Sequence, residues 1–298
     1  MTKLASILSR GAFGVDAPQI RVEVHISRGM PGLSIVGMPE TAVKESKDRV
    51  RAAIMNSGFE FPQHRITINL SPADIPKQGG RYDLPIALGI LAASGQVKTT
   101  KIADTEFVGE LALGGDLRQI RGILPVVNAA AAQQRCLVIP ANNGDEAALV
   151  TQCECRMASN LLQVCAWLDA VDDLPIAHII KSNKLPHSCP DLNEVKGQEQ
   201  AKRALIIAAA GGHNLLLFGP PGTGKTMLAS RLPGILPPLT EQQALETAQV
   251  ASISSQGFNT KSWRQPPFRN PHHTASAVAL VGGGSNPLPG EISLAQNG

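Results

Sequence analysis

Eight residues, GPPGTGKT at Gly219–Thr226, constrain this chain more tightly than any other feature in it. They follow directly on a short apolar run, Asn214–Phe218 (NLLLF), and the residues after them, with Leu228, Ala229 and Leu232, read as a helix. Strand, glycine loop and helix in that order are the context of a phosphate-binding P-loop. The residue types have physical reasons. Gly222 and Gly224 let the backbone curl until successive N–H groups point at one centre, where a Cβ would stand in the way. The start of the helix adds partial positive charge. Lys225 reaches the β- and γ-phosphates and Thr226 offers its hydroxyl to Mg²⁺, with Gly219, Pro220, Pro221 and Thr223 completing the loop. ATP and Mg²⁺ are therefore the expected ligands. The run Asn214–Phe218 is expected to be a central parallel strand, buried on both faces.

Composition bounds what surrounds the loop. The 298 residues, 43% hydrophobic and 17% charged, suit about two globular domains. No apolar run approaches the roughly 20 residues that cross a bilayer, and the longest, from Leu84 to Gly95, reads as a buried helix. The N-terminus shows neither a long apolar core nor a small-residue cleavage site, so the cytoplasm is the default expectation, without a membrane partner. A net charge of +3, with seven Phe, two Trp and one Tyr, argues against a base-stacking nucleic-acid platform. Cys153 and Cys155, with Cys165, His187 and Cys189 downstream, match no common zinc spacing and read as reduced thiols.

Residues 1–170 read as a mixed α/β domain. Strands are expected at Ile20–Ser27, Gly32–Gly37, Arg65–Leu70, Glu106–Leu113 and Cys136–Ile139. Helices are expected from Glu40 to Ser57, with Val43, Val50 and Ile54 on one face, from near Leu84, and over Ile123–Gln134. Residues 171–190 lose periodicity and carry Pro175, Pro186 and Pro190, which predicts a linker. A second domain then runs over 191–298, opening with a helix from Gln198 to Ala210 and the strand before the P-loop.

The P-loop together with the preceding Val195, Gly197 and Gln198 resembles AAA+ ATPases, in which that element forms one wall of the adenine pocket. The stretch Pro267–Gly298 (PFRNPHHTASAVALVGGGSNPLPGEISLAQNG) is similar to their magnesium-chelatase-related branch. With GLSIVGMPETAVKESKDRVRAAI, NLSPADIPKQGGRYDLPIALGIL and GELALGGDLR added, essentially the whole chain resembles the ComM family, also called YifB, of competence-associated bacterial AAA+ proteins. The resemblance implies a homo-hexamer that uses ATP to act on DNA, as a helicase driving branch migration during natural transformation. It implies that Gly282–Leu294 belongs to an inserted hairpin facing the ring's pore, with His272 and His273 near the pore or a subunit interface. It also implies that the chain stops before the strand ending in Asp-Glu, the sensors and the arginine finger. This polypeptide is then expected to bind ATP and hardly hydrolyse it, since phosphoryl transfer rests on such positioning groups. A metal-chelatase subunit and a chaperone-like remodeller of protein complexes are the alternatives.

The N-terminal half also resembles the C-terminal domain of Lon proteases and of RadA, which implies a ribosomal-protein S5 domain-2-like α+β fold ahead of the first part of a P-loop AAA+ α/β domain. Where a Lon-type nucleophile would follow Pro76-Lys77-Gln78-Gly79, this chain has Gly80, Arg81 and Tyr82, and about Leu124 it has no lysine. Neither nucleophile nor base is present, so peptidase chemistry is not expected. Lys44, Lys47 and Arg51 fall at helical spacing as a basic stripe, interleaved with Glu45 and Asp48. Arg81, Arg118 and Arg121 lie in turn-rich segments. Lys44, Lys47, Arg51 and Arg81 are the candidate DNA contacts.

Overall fold

A computed structural model describes residues 3–178, 190–283 and 288–298. The chain divides into two compact units, Met1–Ile180 and Lys181–Gly298.

The first unit is a seven-stranded sheet with helices between the strands. In chain order its elements are β1 (Lys3–Arg10), β2 (Gln19–Ser27), β3 (Gly32–Val36), α1 (Thr41–Lys44), α2 (Ser46–Asn56), β4 (Arg65–Ser71) and α3 (Asp83–Ser94). They continue with β5 (Thr105–Phe107), β6 (Glu110–Leu111), β7 (Leu117–Arg118), α4 (Ile123–Ala132), β8 (Cys136–Pro140), α5 (Gly144–Ala147), β9 (Cys155–Ala158) and α6 (Leu161–Leu168). The sheet order is β3-β4-β2-β1-β5-β8-β9, with β6 and β7 in a separate hairpin. The β1–β2 and β2–β4 pairs are antiparallel, while β3–β4, β1–β5, β5–β8 and β8–β9 are parallel.

The two halves of this sheet carry different residue patterns for one reason. In β8, Leu137, Val138 and Ile139 are all fully buried, as strands covered on both faces must be. In β2, Ile20, Val22, Val24 and Ile26 are buried while Arg21, Glu23, His25 and Ser27 are not, so only one face is covered. That covered face packs on α3, whose Leu84, Ile86, Leu88 and Ile90 are fully buried.

Most expected elements of the first unit and its linker form, with four differences. The helix expected from Glu40 to Ser57 is interrupted at Glu45 into α1 and α2, although Val43, Val50 and Ile54 are all buried. The expected strand Glu106–Leu113 is shorter: the Gly109 amide donates to Arg81 O at 3.0 Å, and the chain leaves the sheet to form β6. The strands β1 and β9 and the helix α6 are not expected from the sequence. The linker expected at 171–190 lies outside the described residues over 179–189. Its described front packs on the first unit, where the Ala177 amide donates to Cys155 O at 2.8 Å and Leu174 is buried.

The second unit contains α7 (Glu199–Gly211), α8 (Lys225–Ala229), α9 (Glu241–Ile253), α10 (Ala277–Val281), a two-residue antiparallel ladder of β10 (Gly282–Gly283) and β11 (Leu288–Pro289), and α11 (Glu291–Leu294). Its main departure from expectation is Asn214–Phe218, which forms no strand. Leu216 and Phe218 are 83% and 88% exposed. A strand holds its extended form through ladder bonds to neighbours, and among the described residues of this unit only the short β10–β11 ladder exists.

Candidate nucleotide-binding site

The glycine loop is placed by the elements on either side of it. Leu228 of α8 packs with Leu192, Val195 and Leu205, so the helix after the loop and the Val195–Gln198 element share one small core. Gln198, in left-handed conformation at the start of α7, donates its Nε2 to Thr223 O at 3.1 Å. The structure therefore brings the Val195, Gly197 and Gln198 element directly against the phosphate loop. At the far end of α8, Arg231 pairs with Glu194 at 3.1 Å and donates to Met227 O at 2.8 Å. These two braces close loops of 25 and 37 residues. The role of Arg231 has no signal in sequence spacing.

Within the loop, Gly222 and Gly224 have φ of 79° and 85°, the left-handed region that glycine enters without steric cost. Lys225 Nζ curls back to donate to Gly219 O at 2.9 Å and to Pro220 O at 2.7 Å, and Thr223 Oγ1 donates to Pro220 O at 2.9 Å. The ammonium is thus satisfied by neutral carbonyl oxygens and by no carboxylate. An anionic phosphate oxygen is the stronger acceptor for it. The Thr226 hydroxyl has no hydrogen-bond partner among the described residues, leaving it available to a metal ion. These donors fit a nucleotide phosphate with its Mg²⁺. One expected contribution is smaller than anticipated: α8 spans five residues, so few peptide dipoles add at its N-terminus.

Downstream, Arg269 grips Glu291 in a bidentate pair at 2.5 and 2.7 Å, which ties the segment before His272 to the start of α11 and holds the Glu291 carboxyl below its usual range. The His272 and His273 rings lie 4.1 Å apart with His272 Nδ1 2.7 Å from Thr274 Oγ1, and both residues are exposed. The hairpin expected within Gly282–Leu294 has its flanks paired in β10–β11, while residues 284–287 lie outside the described residues. No group of three or more His, Cys, Asp or Glu among the described residues could hold a metal ion. His187 and Cys189 are outside the described residues. No helix of the described residues is long and apolar enough to cross a membrane.

Of the candidate DNA contacts, Lys44 and Arg51 are exposed, Lys47 is half-buried and Arg81 is buried. Lys44 is exposed at the end of α1, Lys47 is half-buried in α2 beyond the interruption, and Arg51 is exposed with its guanidinium 5.4 Å from the Phe61 ring centre. Arg81 differs from the expectation of a surface phosphate contact. It is 9% exposed, donates Nη2 to Arg121 O at 2.9 Å, and burial lowers its pKa. The turn that holds it packs inward because Gly109 and Leu111 bond to the start of α3, through Arg81 O and Asp83 respectively. Leu124 is fully buried, and Arg118 pairs with Glu110 at 3.6 Å. Beside this turn, Asp83 is buried against Arg49 at 2.8 Å, and burial pushes its carboxyl up to about 6 despite that partner.

Two family descriptions match the chain, one within each unit. The family described as "Magnesium chelatase, subunit ChlI" matches residues 191–298, and "Subunit ChlI of Mg-chelatase" matches residues 22–143. The YifB protein of Salmonella typhimurium is 54% identical over 297 residues, covering 99% of this chain and 58% of its own length. Competence protein ComM of Haemophilus influenzae is 53% identical over 299 residues, covering 99% of this chain and 59% of its own length. A Mycobacterium bovis relative is 42% identical over 96% of this chain and 57% of its own length. The chain therefore spans a little under three fifths of these relatives. Over nearly every residue it has, the chain is similar to YifB and ComM proteins, with magnesium-chelatase-type sequence in both of its units.

Proposed function

We propose that this chain binds ATP with Mg²⁺ through Gly219–Thr226 as part of an AAA+ motor that remodels DNA. The single observation behind the nucleotide reading is the loop itself: two left-handed glycines, a lysine satisfied only by loop oxygens, and an unpartnered Thr226 hydroxyl. In this reading Lys225 holds the outer phosphates, Thr226 holds Mg²⁺, and Val195, Gly197 and Gln198 flank the base. Bound ATP supplies a phosphoanhydride whose cleavage can be coupled to movement. Gln198, through Thr223 O, fixes the loop's curvature before the nucleotide arrives, which lowers the ordering cost of binding. DNA as the partner and a homo-hexameric ring follow from the family, with the first unit as a non-proteolytic S5 domain-2-like module and the second as the front of the AAA+ core.

Titration of a fluorescent ATP analogue with Mg²⁺ tests the first part. Lys225→Ala removes a charge-assisted hydrogen bond, so affinity should fall roughly tenfold or more while the melting temperature stays unchanged. Equal affinity in the variant would remove the nucleotide from this loop. The chelatase description of both matching families favours a second reading, an ATP-driven chelatase-type subunit acting on a protein or metal-insertion partner. Anisotropy with forked DNA, with and without ATP, separates the two.

A further inference from the structure

Among the described residues of the first unit, one face of the antiparallel half of the sheet is exposed or half-buried. Ile20, Val22, Val24 and Ile26 of β2 and Ile66, Ile68 and Leu70 of β4 all point into the core. Strand alternation then puts Arg21, Glu23, His25 and Ser27 on the opposite face with Arg65, Thr67, Asn69 and Ser71. The register sets these two rows directly against each other: Arg21 faces Ser71, Glu23 faces Asn69, His25 faces Thr67 and Ser27 faces Arg65. On the flanking strands, exposed Ser6 of β1 lies beside Glu23, and half-buried Ser34 of β3 lies beside Thr67.

The chemistry of this face is one-sided. Its carboxylate, Glu23, already accepts from Asn69 Nδ2 at 2.9 Å. Arg21 and Arg65 are exposed, and exposed Arg28 and His64 continue the basic character at the end where β2 finishes and β4 starts. Arg21, Arg28 and Arg65 enter no ion pair among the described residues. Elsewhere in this unit Arg10, Arg49, Arg118, Arg135 and Arg156 are paired with carboxylates, while among the described residues Arg51, Arg81 and Arg121 are not. Between these arginines lie Glu23, His25 and the hydroxyl and amide groups of Ser27, Thr67, Asn69 and Ser71, of which hydroxyls and amides are types that contact phosphate and sugar. Leu4, Leu8 and Val36 share the face on the flanking strands. No Phe, Tyr or Trp stands on these four strands, so bases lack a stacking platform there.

We infer that this open face of β3–β4–β2–β1 is a sequence-independent docking surface for the DNA phosphate backbone, with Arg21 and Arg65 as its main cationic contacts. The inference rests on the proposed DNA partnership and moves its location away from the α1–α2 stripe. There Lys44 and Lys47 are flanked by exposed Glu45 and Asp48, so a phosphate approaching them meets carboxylates too.

The test is the salt dependence of duplex DNA binding by the whole chain, read by anisotropy in three variants whose circular dichroism matches the parent. Arg21→Gln with Arg65→Gln should weaken binding roughly tenfold at low salt and flatten the log–log salt slope by about 2, one for each arginine removed. Thr67→Glu, which adds a carboxylate mid-face without removing an arginine, should weaken binding in the same direction. Lys44→Gln with Lys47→Gln should leave affinity and slope near those of the parent chain. If the helix pair lowers binding and the sheet variants do not, the location is wrong and the DNA reading survives. If the parent chain shows no salt-dependent binding, the DNA reading itself fails. A sheet variant that loses anionic vesicles of phosphatidylserine but keeps DNA would overturn the inference in favour of a lipid surface.

Discussion

The two units organise their apolar residues in different ways. In the first, strands from both ends of the unit meet in one sheet, and Phe107, Leu88, Ile68 and Val138 sit in a common, fully buried core. One of its buried charge pairs is fully matched: Arg10 and Glu106 form a bidentate pair at 2.7 and 2.9 Å, with Gln133 and Ala17 O taking the remaining donors. In the second, Leu192, Val195, Leu205 and Leu228 gather around the P-loop while Leu216 and Phe218 face solvent. The difference separates two kinds of order. The curvature of the glycine loop is set locally, by glycines and by braces such as Gln198 to Thr223. A sheet needs partners far along the chain, because each ladder bond belongs to two strands.

The largest effect is expected at the buried pair of the first unit. Arg10→Ala leaves Glu106 as a buried carboxylate with only Gln19, and Arg135 at 3.7 Å, beside it. Stability should drop by about 3–5 kcal/mol, seen in urea unfolding. A loss under about 1 kcal/mol, the size typical of an exposed pair, would mean that this core is no better matched than that of the second unit.

A smaller effect comes from Asp83. Its native pKa of about 6 lies above the ordinary carboxylate value of 3.8, so between those values the folded state holds the proton more tightly. The associated stability is fully present below about pH 4 and is lost as pH rises through about 6. Relative to Asp83→Asn, the parent chain should lose about 2–3 kcal/mol between about pH 4 and 7. Parallel pH profiles for the two proteins would show that Asp83 does not titrate in this window.

The smallest change is expected in the second unit. Phe218→Ser, at a position with almost no burial to lose, should alter stability by about 0.5 kcal/mol or less. A loss of several kcal/mol would place Phe218 in a core and remove the contrast between the units.

Taken alone, the sequence determined whatever depends on short-range order. The alternation in β2 and β4, the apolar helix α3, the helix α7 and the glycine loop were all legible, because periods of about 2 and 3.6 and left-handed glycines are local properties. It also carried the similarity to YifB and ComM proteins through its long motifs. Tertiary structure decided what depends on distant partners. It paired β1 with β5 across the chain, turned Arg81 inward onto Arg121 O, and set Gln198 against Thr223. It left Asn214–Phe218 without a ladder, although an apolar run beside a P-loop reads as a strand from its composition. The physical reason is common to all four: burial and cross-strand hydrogen bonding are properties of pairs, and a sequence displays only one member of each pair at a time.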